Sequence, residues 1–242
     1  TGAGKGIGKS ITEGFMSNQC KVIALYRSTP PDFDEAILKT CPKPEYLHID
    51  IQEIDRIKRW LDDLEKAGRS ADILINNAGV NFSHNLSNIT CDEWDQIITI
   101  NLKSTFFLSQ LFANHMKSYN GGVIINATSF AAKLPSIKYG VYAASKVALL
   151  SLTKSMAAEW ANYNIRVNAF SPGVIETDMT RPAITKNKDH LLATISQRKF
   201  GSTDDVAKVV LFLSSSESSY LTGIEIGISG GKYIVQSEPV AK

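Results

Sequence analysis

The sequence predicts a doubly wound α/β domain on a parallel sheet, and three observations predict it. Short apolar runs alternate with longer amphipathic stretches along the chain, the pattern of right-handed strand-helix-strand crossovers. A glycine-rich segment, Thr1-Gly2-Ala3-Gly4-Lys5-Gly6-Ile7-Gly8, opens the first helical stretch. In mid-chain the apolar run Ile73-Leu74-Ile75 ends in Asn76-Asn77-Ala78-Gly79, which puts small and amide residues where open α/β sheets bind ligands. With 242 residues, 43% apolar and 21% charged, a single domain over 1–242 is expected.

Taken in order, the glycine turn leads into a helical pattern at 7–17 that carries Ile11, Phe15 and Met16. In an α/β unit such a turn follows a buried strand, so a first strand is expected ahead of Thr1, in a polypeptide that begins several residues earlier. Strands are predicted at 22–26, 47–49, 73–75, 123–125, 167–170 and 224–228, where apolar and β-branched residues cluster. Helices are predicted at 54–66, 94–116, 142–160 and 204–213, where the apolar spacing is helical. The stretch from about 177 to 200 has no clear period and is the expected substrate loop. No repeat, low-complexity segment or linker interrupts the pattern.

Composition narrows the function classes. A formal net charge of +2 without a basic run argues against nucleic acid or a membrane surface and for a small-molecule partner. Cys20, Cys41 and Cys91 are odd in number and spaced for neither zinc nor a disulfide framework; reduced packing thiols are expected, and no metal. No run approaches the roughly 20 apolar residues of a membrane span, nor is there a signal-peptide pattern, so a cytoplasmic location is expected.

Two motifs carry chemistry. The glycine turn presents backbone N–H groups at a helix N-terminus, suited to a pyrophosphate. The same residues nearly match a triphosphatase phosphate loop, with Ala3 for the first glycine and Gly8-Lys9-Ser10 at the end, but that reading wants a magnesium-holding Asp at a strand end. Farther along, Tyr142-Ala143-Ala144-Ser145-Lys146 starts a helical stretch, so phenol and ammonium share a face one turn apart. A nearby cation lowers the pKa of a phenol from its usual value of about 10.

These strings, with Asn101, Ser129 and Pro172-Gly173, resemble the short-chain dehydrogenase/reductase family in order and spacing over nearly the whole chain. The resemblance implies a Rossmann fold with a mostly parallel seven-stranded sheet, a nicotinamide dinucleotide and an Asn-Ser-Tyr-Lys tetrad. It makes Tyr142 the acid in reduction and the base in oxidation. Lys146 would lower the Tyr142 pKa and hold the nicotinamide ribose. Ser129 would donate to the substrate oxygen, and Asn101 would hold a water linking Lys146 to solvent.

The resemblance also places the cofactor against Gly2, Gly4, Lys5, Gly6, Ile7, Gly8, Arg27, Asp50, Ile51, Asn77, Ala78, Gly79, Pro172, Gly173, Ile175 and Thr177. Tyr26-Arg27 stands where relatives that prefer NAD carry an acid, and Lys5 adds a second cation, so NADP(H) is expected over NAD(H). Asp50 and Ile51 would contact the adenine, and the segment from Pro172 to Thr177 the carboxamide. Residues 179–199 would fold over the substrate, ordered when ligand binds.

Much of the chain resembles the 3-oxoacyl-carrier-protein reductases of this family. Those enzymes usually offer an Arg at the end of the Tyr-bearing helix, where this chain has Asn162-Tyr163-Asn164. Lys117 and Lys133 are the expected partial substitutes. A catalytically silent dinucleotide-binding sensor or scaffold is the alternative reading. A homotetramer or homodimer is expected through the two long helices, by way of Phe106, Phe107, Leu111, Leu149 and Leu152.

Overall fold

Two buried faces on each central strand set the architecture. The computed structural model describes residues 1–134 and 137–232. Its strands are β1 (Ile23–Tyr26), β2 (Glu45–His48), β3 (Ile73–Asn76), β4 (Gly122–Ala127), β5 (Ile165–Pro172) and β6 (Glu225–Ile228). All pairings are parallel, β1 with β2 and then β3, β4, β5 and β6 side by side. Residues 1–3 lie between the two groups: the Ala3 N–H donates to the Leu25 carbonyl at 3.1 Å and the Thr1 nitrogen to the Ile75 carbonyl at 2.7 Å. The described residues therefore hold six strands rather than seven, with that short segment at the place between β1 and β3.

Helices cover both faces: α1 (Gly6–Ser17), α2 (Glu35–Thr40), α3 (Ile54–Lys66), α4 (Cys91–Ile98), α5 (Thr105–Lys117), α6 (Gly140–Trp160), α7 (Arg181–Ala193) and α8 (Thr203–Ser214). On β4 the side chains alternate. Val123 and Ile125 join Ile11 and Phe15 of α1 and Val206 and Val210 of α8. Ile124 joins Ile57 of α3, Leu108 of α5 and Met156 of α6 on the opposite side. Each such buried aliphatic contributes roughly 1.5–3 kcal/mol, and burial on both faces explains why the strands read as continuous apolar runs.

Three sequence expectations need correction. The stretch 94–116 is not one regular helix: α4, capped by a reciprocal Thr90–Glu93 box, runs into a π-helical segment, Thr99–Ser104, before α5. The span 177–200 is not a bare loop, because α7 occupies much of it, with a kink at Asn187 (φ −136°, ψ 35°). Neither α7 nor the short α2 buries a residue, so neither shows an apolar stripe to read. Leu149, expected at an interface, is core at 1% exposure, and Phe106, Leu111 and Leu152 pack against the same core. Trp94, Phe107 and Val147 are the exposed large apolar residues of α4, α5 and α6, respectively.

Among the described residues no helix is long and apolar enough to cross a membrane, and no acid, His or Cys cluster has the makings of a metal site. The three cysteines are free thiols.

Candidate active site

Crossovers on both faces leave a crevice at the carboxyl ends of the strands. A cavity of about 510 Å³ opens there. Apart from Asn101, every residue singled out in the sequence for catalysis or cofactor binding borders it. The glycine turn forms one end. A Cβ on Gly8 would sit 2.1 Å from the Gly2 carbonyl oxygen, and one on Gly4 would sit 2.3 Å from that of Thr29, so only glycine lets the chain fold this tightly. Thr1 ties the turn to the end of β3: its Oγ1 accepts from the Asn77 and Ala78 N–H groups at 3.1 and 3.0 Å, and its carbonyl accepts from Asn77 Nδ2 at 3.2 Å. The first turn of α1 thus faces the cavity with N–H groups that lack intrahelical partners. Lys9 and Ser10, which a triphosphatase reading requires, lie off the cavity, and Lys9 pairs with Glu13 at 3.7 Å.

At the rim, Arg27 forms a 3.6 Å ion pair with Asp50, so the expected phosphate and adenine contacts are partners of one another. The Arg27 carbonyl accepts from His48 Nε2 at 2.7 Å, and the His48 ring stacks on Tyr26 with centroids 5.2 Å apart. Ser28 and Thr29 also border the cavity. Sequence reasoning passed over these hydroxyls although they directly follow the basic residue at a strand end. Thr180 was missed too: its hydroxyl bonds the Ile175 carbonyl, accepts from the Thr177 N–H at 3.0 Å and lies 3.2 Å from the Thr177 hydroxyl. It fixes the backbone of the segment after β5.

The opposite end is built by β4 and α6. Ser129 follows β4, and its Oγ accepts from the Ala131 N–H at 3.2 Å. Burial pushes the Tyr142 phenol above its usual pKa, and a hydrogen bond with Ser129 pulls the other way. The fully buried Lys146 donates to the Ala127 carbonyl at 2.8 Å, and burial lowers its pKa to about 8. Its ammonium lies 5.6 Å from the Tyr142 ring centre. The expected depression of the Tyr142 pKa by Lys146 is therefore not what the protein alone displays: desolvation is the larger effect.

Asn101 lies behind the cavity wall rather than on it. Fully buried in the π-helical segment, it accepts from the Val80 N–H and donates to the Val80 carbonyl, both at 2.8 Å, and reaches the Ser145 hydroxyl at 3.4 Å. Its amide clamps the loop that follows Gly79 to the start of α6. Of the lysines expected to meet an acidic partner, Lys133 forms an ion pair with Glu225 at 3.0 Å. Lys117 bonds Asn114 and lies over the Tyr163 ring at 4.5 Å.

A neutral phenol joined to a serine hydroxyl, a buried ammonium beside it and an anion-binding helix start across one cavity can bring a proton donor to an oxygen near a bound dinucleotide. Comparison with known proteins agrees with this geometry. A family model described as enoyl-(acyl carrier protein) reductase matches residues 2–232. The 3-oxoacyl-(acyl-carrier-protein) reductase of Thermotoga maritima is 37% identical over 238 residues, 97% of this chain and 96% of that protein. An NAD-dependent glycerol dehydrogenase of Listeria innocua is 34% identical over 96% of this chain and 91% of its own length. Among solved structures, a gluconate 5-dehydrogenase from Burkholderia cenocepacia in complex with NADP and tartrate has a TM-score of 0.89 at 27% identity, over 97% of this chain and 94% of that one. Matches of this extent, on a fold whose cavity gathers the tyrosine, lysine and serine, make the chain a member of the short-chain dehydrogenase/reductase family, an oxidoreductase acting on CH–OH or C=O groups.

Proposed function

We propose that the protein is an NADP(H)-dependent ketoreductase that interconverts a ketone and a secondary alcohol by acid/base catalysis at Tyr142. The observation that carries this reading is the Tyr142 hydroxyl, bonded to Ser129 beside the buried Lys146, across one cavity from the glycine turn. The residues fit a dinucleotide: the glycine cradle leaves no room for side chains where the backbone turns, and the cavity is long enough to join the helix start to Tyr142. When bound, the cofactor supplies or accepts the hydride at the carbonyl carbon.

The chain's own groups handle the proton. Because burial raises its pKa, Tyr142 is protonated at neutral pH and is poised to give its proton to the carbonyl oxygen. Ser129 would donate a hydrogen bond to the same oxygen, and Lys146 would hold the nicotinamide ribose. Asn101 holds the wall behind them through Val80. Arg27 favours the 2′-phosphate, since a dianion competes with the half-exposed Asp50 pairing for the guanidinium.

The substrate end supports an uncharged ketone. Most of its lining is uncharged, Asn81, Phe130, Tyr139, Met179, Ala183 and Leu191, and the Lys232 ammonium, 5.4 Å from the Phe130 ring centre, is bonded to Thr194. A 3-oxoacyl thioester in small-molecule form fits this lining, and Lys133 and Lys117, the cations expected to meet an acidic carrier protein, already have partners within the chain.

The test is a cofactor-consumption screen on acetoacetyl-CoA, 5-ketogluconate, a cyclic ketone and crotonyl-CoA, with NADPH and NADH side by side. NADPH oxidation with an uncharged ketone or acetoacetyl-CoA, at least about tenfold faster than with NADH, is the expected result, one charge-assisted bond being worth about 1.5–3 kcal/mol. Turnover of crotonyl-CoA alone, or equal rates with NADH, would contradict the reading.

A further inference from the structure

A buried acid stands where the sheet has no evident need of one. Glu225 begins β6 and lies opposite Ala169 of β5 in a parallel pair. Its neighbours Ile224 and Ile226 pack into the core beneath α1 and α8, while its own side chain, 6% exposed, points to the other face. A carboxylate so placed is costly unless fully partnered. Its two partners flank one short segment. Oε1 accepts from the Thr128 hydroxyl, and Oε2, which accepts no aligned hydrogen bond, forms an ion pair with Lys133 Nζ at 3.0 Å.

Between those partners lie Ser129 and the single 3-10 turn Phe130–Ala132. The turn is held by local bonds: Ser129 Oγ accepts from the Ala131 N–H at 3.2 Å, the Ser129 carbonyl from the Ala132 N–H at 2.9 Å, and the Phe130 carbonyl from the Lys133 and Leu134 N–H groups at 3.0 and 3.3 Å. At its N-terminal end the Thr128 N–H donates to the Phe170 carbonyl at 2.9 Å, which ties the chain to β5. One hydroxyl proton serves Thr128, and a carboxylate is a stronger acceptor for it than the Phe170 carbonyl, which also lies in reach at 2.9 Å. Phe130 of the same segment borders the cavity.

We infer that Glu225 is a positioning residue for Ser129: its carboxylate grips both ends of the 128–133 segment, through Thr128 and Lys133, and so holds the Ser129 hydroxyl against Tyr142. The inference rests on the proposed role of Ser129 and Tyr142 in ketone reduction. A displacement of about 1 Å at a reacting group costs as much as 100-fold in rate, so a carboxylate remote from the substrate acts on turnover through the serine it fixes.

Glu225→Ala, Glu225→Gln and Lys133→Met, each in the wild-type and the Ser129→Ala backgrounds, test it. Four quantities are read: kcat and KM on the fastest ketone of the panel, NADPH affinity by fluorescence, and the Tyr142 titration followed by NMR of labelled tyrosine in the cofactor-free protein. Glu225→Ala is expected to lower kcat about tenfold with NADPH affinity within about twofold of wild type. In the Ser129→Ala background the further loss is below about twofold, the mark of two residues acting through one interaction. The Tyr142 titration moves upward in Glu225→Ala, because the Ser129 bond that lowers it is disturbed. Glu225→Gln, which keeps volume and an acceptor for Thr128, recovers a good part of the rate, and Lys133→Met loses less than Glu225→Ala.

Three results would overturn the inference: a Tyr142 titration unmoved by Glu225→Ala, an undiminished loss in the Ser129→Ala background, or NADPH affinity falling in step with kcat. If the wild type turns over no ketone, the ketoreductase reading fails, while the titration still decides the role of Glu225.

Discussion

At the scale of single residues, the chemistry depends on burial as much as on identity. Tyr142 and Lys146 are legible in the sequence because a helix places residues four apart on one face. What the spacing could not supply is the effect of the surrounding protein on their titration, since that needs the Ala127 carbonyl, the floor of the cavity and the depth at which α6 is buried. For Lys146 the consequence is measurable. Its pKa falls from 10.5 to about 8 in the folded protein, so between about pH 8 and pH 10 the unfolded chain holds a proton that the folded chain has released. Stability attributable to this residue therefore rises with pH across that window and is lost as pH falls through 8. The full penalty below pH 8 is about 3 kcal/mol. Thermal unfolding of the cofactor-free protein checks it: Lys146→Met is expected to be more stable than wild type at pH 7, with the gap closing toward pH 10. Replacing Arg27 by Ala is expected to weaken NADPH affinity about tenfold while leaving NADH nearly unchanged, one charge-assisted contact having been removed, and paired titrations with the two cofactors read that difference.

At the scale of elements, the strands and the helices that bury an apolar face were readable, because a core imposes its period on the sequence. The elements that escaped are those without such a face. The stretch with no clear period folds as α7, held in place over the cavity although it buries no side chain. The π-helical segment between α4 and α5 was invisible because its residues are as apolar as those of a regular helix; only the extra residue per turn distinguishes it. That irregularity carries Asn101 inward to Val80, a partner 21 residues away that no local pattern discloses. Replacing Asn101 by Ala leaves the Val80 N–H and carbonyl without their bonds and is expected to cost about 1–3 kcal/mol in urea unfolding. A larger fall in turnover should accompany it, because the same clamp holds the start of α6 through Ser145.

At the scale of the whole molecule, the doubly wound architecture was legible from strand-helix alternation, and the two-sided burial of β4 shows why that alternation is so plain. The division between core and outer surface was less so, since a leucine on a long helix reads the same on either side. Leu149 proved to be core, whereas Phe107, Val147 and Trp94 are between 40% and 48% exposed on neighbouring helices. Assembly as a homotetramer through this surface is the expected state, and Val147→Glu should lower the mass seen by light scattering; a monomeric wild type would contradict it. Leu149→Ala should instead cost about 2–5 kcal/mol of stability.

The claim on which the rest depends is that a cavity assembled from five strand ends serves proton transfer at Tyr142. Its most direct test is kcat/KM for the Tyr142→Phe protein on the best ketone of the panel, with NADPH affinity measured alongside. A loss of about 10²–10⁴-fold at unchanged NADPH affinity is the expected result. A Tyr142→Phe protein that keeps more than about a tenth of wild-type kcat/KM would contradict the claim.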